Sequence, residues 1–171
     1  MYKKMKCGFT LAELMAVIII VSLLAVLSAG YYRRAVEQSR FSEGLMAASA
    51  VAEAVNRAYL EQKMNGVATP TLPTINHLDI SFPGSSSCND IQCTTKYFHI
   101  SVDSTNGLTT ANRIDGIYPR SYSIQIQPHF AANHRDEISC FAMMNNSRGR
   151  DFCESMGYTQ CDGNGLCTKP N

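Results

Sequence analysis

The Gly8–Phe9 peptide bond and the Glu13 carboxylate are the groups of this chain placed for chemistry. Gly8 has no side chain, so a protease can approach the backbone there closely. Lys3, Lys4 and Lys6 precede it. An apolar stretch from Phe9 to Ala29 follows, with Glu13 as its one charge. A cut after Gly8 would leave that stretch on the mature chain, whereas an ordinary secretory signal is cut after its apolar region and discarded. The cut would also make Phe9 an α-amino cation four residues from Glu13. An ionised side chain at the middle of a membrane-spanning helix costs roughly 2.5–3.5 kcal/mol, and less near an end. Glu13 would also lie by the positive end of the helix dipole. Two partners for it follow. One is the Phe9 amine of a neighbouring copy. That pairing would fix the register of stacked helices, because a half-paired buried charge is strongly unfavourable. The other is Phe9 of the same chain, four residues away.

The remaining reactive side chains form no recognisable machinery. His77, His99, His129 and His134 lie outside any nucleophile or metal motif. Ser85-Ser86-Ser87 reads as a polar loop without a Gly-x-Ser-x-Gly frame. Asp162-Gly163-Asn164-Gly165 has one carboxylate and no closing Glu, too little for a calcium loop. Arg148, Arg150 and Asp151 read as a solvated helix start. No catalytic residue, metal ligand or cofactor is expected, and the chain is not expected to be an enzyme.

The elements that must position these groups follow from periodicity. The 171 residues suit one modest domain plus an appendage. The apolar stretch would be about 31 Å long as a helix, which matches a hydrocarbon core of about 30 Å. The lysine head predicts a cytoplasmic N-terminus. Phe41, Leu45, Ala48, Ala52, Val55 and Tyr59 then form one stripe of an amphipathic helix. Asn65-Gly66 supplies its stop, with Pro70 and Pro73 beyond. One helix from Phe9 to about Met64, some 84 Å at the standard rise, is expected. Residues 65–96 read as a connecting loop with short structured pieces. Phe98, Ile100 and Val102, and Tyr122, Ile124 and Ile126, alternate with polar residues as half-buried antiparallel strands do. Ile138–Met143 is a third strand candidate. Asn106-Gly107 and Asp115-Gly116 mark turns, and Ser147–Met156 a short helix stopped by Gly157. Tyr31 and Tyr32 suit a membrane-edge belt or packing between copies.

Gly8-Phe9-Thr10-Leu11-Ala12-Glu13-Leu14-Met15 resembles the processing motif of type IV pilins and of the related pseudopilins of type II secretion. The clear resemblance covers residues 1 to about 60. Ser22 and Gly30 depart from the glycine and proline that many relatives carry. The resemblance implies a leader (1–8) removed after Gly8 by a dedicated peptidase that also methylates Phe9. It implies a transmembrane and filament-core helix over 9–30, its amphipathic continuation over 31–64 and a globular head over 65–171. The expected fold class is α+β, with a long N-terminal helix packed by its C-terminal half against an antiparallel sheet, and a disulfide-bonded C-terminal region. The implied function is structural: a subunit held in the inner membrane by Phe9–Ala29, then extracted, with an inner-membrane assembly platform as partner, into a homo-oligomeric extracellular filament in which Glu13 sets register. A type IV pilus subunit is the first expectation and a type II secretion pseudopilin the second. An anchored adhesive module that never polymerises is the third.

Removing the three leader lysines takes the formal charge from +1 to −2, so no nucleic-acid partner is indicated. Cys7 would leave with the leader. Cys88, Cys93, Cys140, Cys153, Cys161 and Cys167 remain, an even number that reads as disulfides in a non-cytoplasmic domain. Pairing by neighbour, Cys88–Cys93, Cys140–Cys153 and Cys161–Cys167, is the expectation. The alternatives are a zinc site, for which no Cys-x-x-Cys spacing exists, or free thiols.

Overall fold

The computed structural model describes residues 9–81, 87–114, 122–130, 137–142 and 147–170. The chain divides into two compact units, residues 1–39 and 40–171. Helix α1, Leu11–Met64, contributes to both.

In the first unit, the side chains from Phe9 to Leu27 are open to the surroundings. Large apolar residues are exposed from 53% at Val17 to 82% at Phe9. Ser22 Oγ donates to the Ile18 carbonyl at 2.6 Å and Ser28 Oγ to the Ala25 carbonyl at 3.1 Å. Both hydroxyls are thus satisfied within the helix, as an apolar surrounding requires. Helix geometry continues through Gly30 without a break. The helix begins at Leu11 rather than Phe9, because Thr10 takes the capping position.

In the second unit, α1 packs on an eight-stranded antiparallel sheet of order β1-β2-β3-β4-β5-β6-β8-β7. The strands are β1 Ser87–Cys88, β2 Gln92–Thr94, β3 Phe98–Val102 and β4 Thr109–Arg113. They continue as β5 Tyr122–Ile126, β6 Ile138–Ala142, β7 Gln160–Cys161 and β8 Leu166–Thr168. A 3-10 turn, Ile75–His77, and α2, Ser147–Ser155, complete the elements among the described residues. Phe41, Ala48, Ala52 and Val55 of the expected stripe are buried, while Leu45 and Tyr59 are half-buried. Val51 and Ala54 are buried as well, so the helix presents a wider face than the stripe. Where α1 crosses β3, Gly44 admits the Phe98 ring. A Cβ there would lie 2.6 Å from Phe98 Cζ. Phe41 meets Tyr122, Phe152 and Tyr158 with ring centroids 5.6, 5.8 and 5.9 Å away.

Both helices end in Schellman motifs. After α1, Val67 N–H donates to the Gln62 carbonyl and Gly66 N–H to that of Lys63, with Gly66 at φ 78°. After α2, Tyr158 N–H donates to Cys153 and Gly157 N–H to Glu154, with Gly157 at φ 91°.

One row of directly opposed residues crosses the whole sheet: Cys88, Cys93, Ile100, Ala111, Ile124, Cys140, Cys167 and Cys161. The disulfides Cys88–Cys93 and Cys161–Cys167 close its two ends. From the same row, Cys140 bridges to Cys153 and ties β6 to α2. Cys93 through Cys167 are buried. Each sheet edge is therefore a two-residue strand clamped by a disulfide, which suits protection against edge pairing.

Strands β1 and β2 are short structured pieces within 65–96, as expected, whereas β4 was not expected, having no apolar alternation to mark it. Residues 161–167 form a hairpin whose β8 joins the main sheet. Asp115-Gly116 and Met143 lie outside the described residues.

Candidate functional site

At the head of α1, Thr10 and Glu13 form a reciprocal cap. Thr10 N–H donates to Glu13 Oε2 at 2.8 Å, and Thr10 Oγ–H donates to the same oxygen at 2.9 Å. Glu13 N–H donates in turn to Thr10 Oγ1 at 3.2 Å. This is the capping box that Thr-x-x-Glu specifies. It satisfies the Glu13 amide at the helix start and holds the carboxylate beside the positive end of the dipole. Thr10 is a partner that neither expected reading of Glu13 named. Its signal, a Thr three residues before a Glu at the start of an apolar run, was present in the sequence.

The arrangement fixes one anionic group at the mouth of an otherwise apolar rod. Charge on an exposed rod of this kind is available to a cation on another molecule. Phe9, next to the cap, is exposed. Gly8 and the lysine head lie outside the described residues. Among the described residues, α1 is the helix long and apolar enough to cross a membrane.

The other candidate residues are dispersed. His77 Nδ1 shares a hydrogen bond with Thr74 Oγ1 at 2.6 Å, and His99 Nδ1 with Thr94 Oγ1 at 2.9 Å. His129 sits in the turn after β5, and His134, Ser85 and Ser86 lie outside the described residues. Asp162 turns its carboxylate onto its own loop. Oδ1 accepts from Asn164 N–H at 2.9 Å and Leu166 N–H at 2.8 Å. Its pKa is held below the ordinary aspartate value chiefly by the Leu166 amide. Its oxygen thus serves a hairpin turn. Among the described residues, no three His, Cys, Asp or Glu side chains are grouped to hold a metal ion.

The head carries a cationic cluster that sequence reading missed. Arg40, Lys96 and Arg113 lie 4.7, 5.0 and 5.3 Å from the Tyr97 ring centre. A hydrogen bond from Lys96, followed by the nearby positive charges, pulls the Tyr97 phenol below its ordinary pKa. Arg57 and Asp79 form an exposed ion pair at 2.8 Å. Sequence spacing could not join residues so far apart along the chain.

Residues 3–29 match the prokaryotic N-terminal methylation motif. That motif is the signature of the precursors of type IV pilins and pseudopilins, and it implies processing by a prepilin peptidase and filament assembly. The motif and the apolar helix fit membrane anchoring. No curated protein and no solved structure matches the chain.

Proposed function

We propose that this pilin-like chain is a structural subunit of a type IV pilus filament. The observation that carries the reading is the exposed apolar rod headed by the Thr10–Glu13 cap, within a methylation motif. Such a rod is stable only in lipid or among its own kind. In the precursor it lies in the inner membrane with the lysine head in the cytoplasm. A prepilin peptidase cuts after Gly8 and methylates Phe9. An assembly platform then moves the subunit into a filament, where burial of apolar helices drives association. The Phe9 amine of one copy meets Glu13 of another and fixes register. The capping box favours this role, because it leaves the carboxylate fixed before any partner arrives. The disulfide loops of the head face outward.

Pseudopilins share the motif, so a type II secretion pseudopilin is the alternative. The row of cysteines clamping both sheet edges favours an exposed extracellular fibre, which gains most from staples. Shearing cells with and without the gene separates the readings. Surface fibres containing this chain support the pilus. A periplasmic stub with lost protein export supports the pseudopilin. An anchored chain in neither assembly supports a simple adhesive module.

A further inference from the structure

An apolar groove of about 290 Å³ lies on the head between α1 and the Ile80–Ser81 segment. Gly44, Met46, Ala47, Ala50, Ile80 and Phe98 supply its apolar lining, and among the described residues Glu43 is its one ionisable lining residue. Met46 is 68% exposed at its edge. Lys96 feels the Glu43 charge from outside the lining. An occupant that is apolar over most of its contact and carries a cation at one end would match this lining.

We propose that this groove receives Tyr31 of a second copy of the chain, with that copy's Arg34 against Glu43. Tyr31 and Arg34 stand three apart on α1, so their side chains share a face. Tyr31 is 80% exposed, and Arg34 is exposed beside it. The apolar rod from Phe9 to Ala29 carries no cationic side chain, so it would cover the groove yet bring Glu43 no cation beyond Lys96. An aromatic ring in a small pocket with a polar tip at its rim is the composition of an interface anchor. The pairing gives Tyr31 a place once the chain has left the membrane. It rests on the filament reading, since it needs copies lying side by side.

The test places the photoreactive p-benzoylphenylalanine at Met46, and separately at Ala50, in the full chain in its native cell. After irradiation, cross-linked pairs are digested and mapped by mass spectrometry. The expected product joins the groove peptide to the peptide containing Tyr31 and Arg34 of another copy. Glu43→Arg and Arg34→Glu should each reduce that product several-fold, and the double variant should restore it. Cross-links to another segment, to a foreign protein, or none at both positions overturn the groove inference. Fibre yield is scored in the same cells. Fibres with cross-links elsewhere sink the groove and spare the filament reading, whereas the expected cross-link in cells without fibres supports the groove and sinks the pilus.

Discussion

Glu13 Oε2 accepts two hydrogen bonds from Thr10, one from its amide at 2.8 Å and one from its hydroxyl at 2.9 Å. The carboxylate proposed to meet a neighbouring copy is therefore also the one that finishes its own helix. These two roles separate by substitution.

Glu13→Gln keeps a capping-box acceptor and removes the charge. Thr10→Ala removes the cap, at about 1 kcal/mol, and keeps the charge. Leader cleavage, read as a mass shift, should survive both. Glu13→Gln should lose fibres, and Thr10→Ala should only reduce them. Equal loss in the two variants would mean that capping is the whole role of Glu13.

Gly44 lies against the Phe98 ring, and added carbon there has no room. Gly44→Val should destabilise the head by about 1–3 kcal/mol, in the range of overpacked cores. Denaturant unfolding followed by tyrosine signal measures it. Gly30→Ala is the control. Its site is open, so no such loss is expected, and a helical Ala is better by up to about 1 kcal/mol.

The row of cysteines makes a prediction about edges. Replacing Cys140 and Cys153 by Ser should cost about 2–4 kcal/mol by freeing α2 from β6. Opening Cys88–Cys93 instead frees an edge strand, so aggregation should rise more than stability falls. Light scattering alongside thermal unfolding distinguishes the outcomes.

Asp162 gives a pH dependence with a definite sign. Its folded pKa is lowered, first by the Leu166 amide. Ionised Asp162 therefore stabilises the 161–167 hairpin above the unfolded aspartate pKa of about 3.9, and that contribution is lost as pH falls through the folded value. Amide exchange at Asn164 and Leu166, corrected for its intrinsic pH dependence, should lose protection on acidification. In Asp162→Ala, which removes the acceptor, it should be weak at every pH.

The outline of the fold was legible because its strongest signals are long and periodic. The apolar run, the stripe from Phe41 to Val55 and the alternation in β3 and β5 all declare themselves. Strand β4 does not. Its inward residues are Thr109, Ala111 and Arg113, which carry no apolar alternation. Arg113 reaches the interior by laying its guanidinium near the Tyr97 and Phe98 rings, a contact that exists only once β3 and β4 have paired. Gly44 was silent for a related reason, since its contribution is the absence of a side chain facing Phe98. Thr10 could have been found from its spacing to Glu13. The alignment of the cysteines in one row depends on strand register, which spacing alone does not reveal.

The most direct test compares sheared fibres from cells making the wild-type chain and Glu13→Ala. Subunits of wild-type fibres should begin at a methylated Phe9. The Glu13→Ala chain should be cleaved and held in the membrane yet absent from fibres. Normal fibre yield from Glu13→Ala, or no fibres containing the wild-type chain, would contradict the proposed function.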